Sequence, residues 1–237
     1  MPTRKIKTEI LLAMIAVLFG LPALYPAVAQ TDDEVAEAAR FLNETTDLSK
    51  LKIYKLADTE KAAVAPQIAD KLITSGELFG KLNKSAKKVL DYHGLSNHCN
   101  IIAFDFAVPT VFTYKLRSIS FSSKTLEILN KDEISALVAH EIGHLYLARD
   151  WADARINKNA RAARIAELKC DAVALVTLKD LGINPVNLIS AVEKLIKARK
   201  EVGFGDLSED SASVKDRKSL IKIFLERSKN REFLKKH

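Results

Sequence analysis

Cysteine is nearly missing from this chain: two residues in 237, Cys99 and Cys170. That scarcity excludes a disulfide-stapled scaffold and a four-cysteine zinc module. Two readings stay open, a single Cys99–Cys170 bridge or two free thiols, because bridging demands close and well-oriented backbones. Glycine and proline are also few, 8 and 6, which excludes low-complexity and collagen-like chains. No segment beyond the N-terminal stretch is apolar enough to span a bilayer. No nucleic-acid motif accompanies the formal charge of +7, so no nucleic-acid partner is expected. With 48% hydrophobic and 28% charged residues, the composition is that of an ordinary globular protein of one domain plus a targeting segment.

Residues 1–29 read as that segment. Arg4, Lys5 and Lys7 precede the apolar run Ile10 to Leu21, and Ala27-Val28-Ala29 before Gln30 is a small-x-small cleavage site. The rival is an uncleaved anchor. The run is short for a hydrocarbon core about 30 Å thick and is broken by Pro22 and Pro26, which favours cleavage. No lipobox cysteine lies near the junction. The expectation is an exported chain of residues 30–237, periplasmic first, secreted or signal-anchored otherwise. Its formal charge is lowered to about +5 by the loss of Arg4, Lys5, Lys7 and Glu9.

Residues 32–94 read as helical. Stripes run through Val35, Ala38, Ala39 and Leu42, then Ile68, Leu72 and Ile73 (entered near Pro66), then Leu78, Leu82, Ala86, Val89 and Leu90. Residues 47–56 fit a short strand or a linker. Lysines from Lys81 to Lys88 read as a solvated face. Asn43-Glu-Thr45 and Asn83-Lys-Ser85 are sequons that matter only in a eukaryotic host. Between Ile101 and Ser122 the character changes to β-branched and aromatic runs, 101–104, 111–114 and 118–121, interrupted by Pro109; a small antiparallel sheet is expected. Further on, Gly182 reads as a helix stop, Asn184-Pro185 as the start of a helix over 186–201, residues 202–213 as a loop rimming a cleft, and about 214–233 as a last helix.

The most informative stretch is Val138-Ala139-His140-Glu141-Ile142-Gly143-His144-Leu145. Asn130 and Glu133 form a capping-box pair, Asp132 and Glu133 suit the positive helix end, and Ile134, Leu137, Val138 and Ile142 give a buried stripe. On that helix the two histidines sit one turn apart on one face, the spacing that lets two imidazoles reach one zinc ion. Glu141 lies beside such an ion, where it can deprotonate water. The bland alternative is that these residues decorate an amphipathic helix.

A catalytic zinc needs a third protein ligand. Glu167 and Asp171, four apart on an alanine-rich helix, can supply it: Glu167 as ligand, Asp171 as the acceptor that fixes a ligand histidine's tautomer. Taken alone, a Glu-x-x-x-Asp pair is equally a solvated face. His93, His98 and Cys99 lie close together but lack a fourth partner at metal-finger spacing. Arg149, Arg155, Lys158, Arg161 and Arg164 form a basic cluster, either a solvated face or a peripheral contact for an acidic partner or anionic membrane surface.

The run Asp132 to Leu145, followed by Glu167-x-x-x-Asp171, resembles the HtpX-like and CAAX-prenyl-protease family of gluzincin zinc metallopeptidases, over roughly residues 100–225. The resemblance implies an α+β, mainly helical, zincin-like fold with a small antiparallel sheet and an active-site helix pair. It implies zinc held by His140, His144 and Glu167, with Glu141 as general base and acid. Residues 30–98 would be a helical N-terminal part and 99–237 the catalytic core. Family members carry a late arginine in a His-Pro-containing segment; Ser213 to Leu220 matches in Arg217, an oxyanion-stabilising candidate, but lacks the His-Pro pair. Tyr114 and Tyr146 are alternatives for that role. In gluzincins an edge strand near the zinc holds substrate backbone, so one of the three expected strands is expected to do so. The metzincin pattern is absent, since residues 145–150 lack its Gly and third His. The expected activity is zinc-dependent endopeptidase action on exported or misfolded proteins. A zinc-containing binding or chaperone module, and hydrolysis of a non-peptide amide, are the alternatives.

Overall fold

The computed structural model describes residues 32–45, 48, 51, 53, 64–204 and 211–236. The expected signal segment lies outside these residues, as do most of 47–56 and residues 205–210 of the expected rim loop. The elements in order are α1 (Asp32–Glu44), β1 (Leu72–Ile73), α2 (Gly76–Tyr92), β2 (Asn100–Phe104), β3 (Val111–Tyr114), β4 (Ser118–Ser122), α3 (Ser123–Ile128), α4 (Lys131–Tyr146), α5 (Ala148–Ile156), α6 (Ala160–Asp180), α7 (Val186–Glu201) and α8 (Val214–Lys236). The fold is α+β and mainly helical, as the sequence predicts. Among the described residues no helix is long and apolar enough to cross a membrane.

The apolar stripes do what their periodicity predicts. Val35, Ala38, Ala39 and Leu42 of α1 are buried against α6 and α8. Two polar anchors hold α1 there. Glu34 takes a two-pronged bond from buried Arg164, 2.8 and 3.1 Å, and Arg227 donates to the Ala39 carbonyl at 3.0 Å and to Asn43 Oδ1 at 2.6 Å. Arg164 therefore belongs to the interior. Of the five basic residues from 149 to 164, Arg155 is half-buried over the Trp151 ring, and only Arg149, Lys158 and Arg161 are exposed.

Two local expectations are corrected. The stripe Ile68, Leu72, Ile73 does not form a helix: Pro66–Ile68 is a single 3-10 turn and Leu72–Ile73 a strand. The nine residues between Pro66 and Gly76 are too few to nucleate a stable helix, whereas the open edge of β2 pairs Leu72 with Phe104 and Ile73 with Ala103. Lys81 is not on the solvated face; its ammonium donates to the Leu126 carbonyl at 2.6 Å.

The three predicted strands form where expected, but the sheet is mixed and four-stranded, in order β1-β2-β4-β3, not wholly antiparallel. β2 and β4 run parallel. The chain leaves β2 through Pro109, returns as the outermost strand β3, and doubles back through Lys115 and Leu116, both at positive φ, to lay β4 in between. Polar groups stitch that crossing, with the Thr110 amide facing Ser122 Oγ at 3.0 Å and Thr125 Oγ1 at 2.8 Å. The consequence is that β3 is an edge of the described sheet and lies against α4.

α4 is the hub, packed by α2, α6, α7 and β3. Its capping box is complete: Glu133 N donates to Asn130 Oδ1 at 2.9 Å and Asn130 N to Glu133 Oε2 at 2.8 Å. Glu133 also accepts from Ser190 and Lys194 of α7, which ties both helices at one end. At the other end His93, which caps α2, lies between Tyr146 Oη (2.9 Å from Nδ1) and Thr177 Oγ1 (3.0 Å from Nε2). Thr177 donates its hydroxyl to the Val173 carbonyl, so it accepts from His93 Nε2–H, and Nδ1 accepts from Tyr146. Acceptance at Nδ1 requires the neutral ring. Burial lowers the His93 pKa from 6.5 to about 4. Between those values the unfolded chain holds a proton that the folded chain refuses, so stability falls as pH falls, by about 1.4 kcal/mol per unit. Chemical denaturation across this range is expected to show that loss in the wild type and a flatter acid limb in His93→Gln; parallel profiles would refute it.

Candidate metal centre

His140, Glu141 and His144 offer ligand atoms within 4.8 Å of one another on the inner face of α4. α6 crosses that face and presents Glu167, Cys170 and Asp171, which helical spacing places together. Glu167 straddles the histidines: one carboxylate oxygen is 3.4 Å from His140 Nε2 and the other 3.6 Å from His144 Nε2. Two atoms that each ligate one tetrahedral zinc from about 2 Å lie roughly 3.3 Å apart, so this spacing fits a shared ion.

The hydrogen bonds fix the roles of His140. Asp171 Oδ1 can only accept when ionised, and at 2.8 Å it takes the Nδ1 hydrogen, leaving the Nε2 lone pair aimed at Glu167. Two lone pairs facing each other in a buried site favour a cation between them. Burial lowers the His140 pKa, but hydrogen bonds to Asp171 and Glu167 outweigh it and raise it to about 10. Burial raises the Glu167 carboxyl, and the charges of His144, His140 and Arg217 outweigh it and hold it well below the usual carboxylate range. The donor set, two imidazoles and a carboxylate held ionised, fits a divalent metal ion of zinc's ligand preferences.

Arg217 comes from α8 and is buried. Its guanidinium donates to Asp171 Oδ1, to Glu167 Oε2 at 3.3 Å and to the Ala212 carbonyl at 3.3 Å. It thus holds both carboxylates from behind while lining the cleft. Tyr146 points to His93, and Tyr114 packs with Ile102 and Phe104 beyond the sheet; neither lines the cleft. Cys99 and Cys170 are both free and buried. Among the described residues His93, His98 and Cys99 form no metal cluster.

Several residues of the site were not anticipated. Thr113 of β3 donates to Glu141 Oε2 at 2.8 Å, which orients that carboxylate. Cys170 Sγ lies 3.5 Å from His144 Nδ1. Burial, with the charges of Glu167 and Asp171, pushes its thiol well above the ordinary range. Trp151, the single tryptophan, meets the His144 ring edge-on at 5.9 Å. The cleft, about 440 Å³, also has an apolar wall of Leu137, Val192 and Leu195, the last two from α7. No sequence signal marks Thr113, because its partner is on another element. Cys170 could have been found by its helical register with Glu167.

Gly143 sets how closely the two helices cross. A Cβ there would lie 2.6 Å from Cys170 Cα, 2.8 Å from Cys170 Cβ and 3.0 Å from the Cys170 carbonyl oxygen. Backbone cannot step aside as a flexible side chain can, so Gly143→Ala must separate α4 from α6. The expected cost is about 1–3 kcal/mol, roughly 3–10 °C in melting temperature, read by calorimetry. An unchanged melting temperature would show that the crossing has slack.

Comparison with known proteins finds partial likeness. Over 72 residues, 29% of this chain, it is 32% identical to a protein named "Protease HtpX homolog" from Saccharolobus islandicus and to "Protease HtpX homolog 2" from Saccharolobus solfataricus. The chain matches about a fifth of each relative, 22% of its length. No family model matches the chain. The likeness supports a metallopeptidase family at most.

Proposed function

We propose that this chain is a zinc-dependent endopeptidase. The observation that carries the proposal is the carboxylate of Glu167 set between the Nε2 atoms of His140 and His144, with Glu141 at the same cleft. His140, His144 and Glu167 are the ligands, and the two partial relatives, each named a protease, support the peptidase part of the reading. Zinc held by these residues would supply a Lewis acid for the scissile carbonyl and would lower the pKa of the attacking water towards neutrality. Glu141, oriented by Thr113, takes a proton from that water and returns it to the departing amine. Arg217, donating to Glu167 and Asp171, is a positioning residue that helps keep Glu167 ionised and holds both carboxylates in place.

The edge of β3 runs past Glu141, which suits an extended peptide added as a further strand. The wall of Leu137, Val192 and Leu195 receives an apolar side chain next to the scissile bond. Substrates of this kind are exposed in misfolded proteins, and the N-terminal segment of the sequence points to exported ones.

The test is metal content, tryptophan fluorescence and cleavage measured on one preparation. Elemental analysis is expected to find one zinc per chain. Because Trp151 is the only indole and abuts His144, titrating the metal-free chain with zinc is expected to shift its emission, and cobalt to quench it. Casein cleavage is expected to stop with chelator and return with zinc. A chain that takes up no zinc after reloading, with unmoved fluorescence, sinks the proposal.

A further inference from the structure

The structure assigns Cys170 as the positioning residue of His144, the acceptor of its Nδ1 hydrogen. The assignment rests on the zinc reading above and adds a residue that neither the motif nor the comparisons designate. α6 places two consecutive residues against two histidines one turn apart on α4. Asp171 meets His140 Nδ1 at 2.8 Å, and Cys170 meets His144 Nδ1 at 3.5 Å. Sulfur is large and a weak acceptor, so 3.5 Å is a hydrogen-bonding distance for it.

The tautomer argument applies to both rings. His144 Nε2 faces Glu167 Oε1, so when that nitrogen ligates a cation its hydrogen must reside on Nδ1. There it meets the Cys170 sulfur. Cys170 is fully buried and in no disulfide, so the sulfur is neither bridged nor shared with solvent. The close crossing at Gly143, whose missing Cβ would strike Cys170, is what brings the sulfur within reach. A thiol gives less electron density than a carboxylate. His144 is therefore the less strongly supported of the two imidazoles, and its orientation depends more on packing than on charge.

The experiment measures zinc affinity by competition with a chromophoric chelator in wild type, Cys170→Ala and Cys170→Ser. It also follows the ring N–H resonances of His140 and His144 in the zinc-loaded chain. Cys170→Ala is expected to bind zinc about tenfold or more weakly, with Cys170→Ser between it and the wild type because an acceptor remains. The His144 Nδ1–H resonance is expected to move in both variants while that of His140 stays. If the alanine chain does not fold, the serine variant carries the test through the same two readouts. Zinc affinity of Cys170→Ala within about twofold of wild type, serine no better than alanine, or an unmoved His144 resonance overturns the assignment. A wild-type chain that binds no zinc overturns the proposed function and this assignment together; tight wild-type binding with an indifferent Cys170 overturns this assignment alone.

Discussion

Glu141→Gln is expected to retain zinc and to lose proteolysis by about a hundredfold to ten-thousandfold in kcat. The amide is isosteric with the carboxylate, and its oxygen still accepts from Thr113 Oγ1, a contact of 2.8 Å in the wild type. The fold has no reason to change. What disappears is the capacity to take a proton from water and give it to the leaving amine. Steady-state cleavage of a fluorogenic peptide, with metal content measured on the same sample, checks this. A variant that keeps zinc and cleaves at the wild-type rate would remove Glu141 from the chemistry. One that loses zinc would make Glu141 a ligand, an outcome its position within 4.8 Å of both histidines makes worth distinguishing.

Glu167→Ala carries the second large effect. In the proposed site the carboxylate would contribute one ligand atom, and its two oxygens lie 3.4 and 3.6 Å from His140 and His144 Nε2. Without it the ion keeps only two protein ligands and loses the neutralising charge. Zinc affinity is expected to fall by more than the ten- to hundredfold typical of removing an outer partner, and activity to fall with it. The vacancy also leaves Arg217 with Asp171 as its remaining carboxylate. Some loss of thermal stability should therefore accompany the loss of metal, because a buried guanidinium has given up a partner. Isothermal titration with zinc separates the two effects. Glu167→Ala that binds zinc like the wild type would exclude Glu167 from the ligand set.

The helices and strands that carry the site were legible for local reasons. The capping box at Asn130 and Glu133, the stripe of α4, the Asn184 start of α7 and the runs of β2, β3 and β4 depend on neighbours a few residues apart. Helical spacing alone also puts His140 beside His144, and Glu167 beside Cys170 and Asp171. The stripe at Ile68 to Ile73 misled because a short segment takes its structure from whichever partner satisfies its backbone, here the edge of β2.

What the sequence determined by itself is the kind of chemistry available: two imidazoles and a glutamate on one helix face, and a second acidic pair at matching spacing on another. Tertiary structure decided how these groups are used. The order of the sheet, which leaves β3 at the edge beside Glu141, follows from a crossing through Pro109 that no periodicity encodes. Arg217 reaches Asp171 across 46 residues, Thr113 reaches Glu141 across 28, and Cys170 reaches His144 across 26. Periodicity and caps are properties of a backbone and its immediate neighbours. Which side chain supports which ligand depends on where two helices cross, and that depends on whether a residue such as Gly143 leaves room for the other backbone.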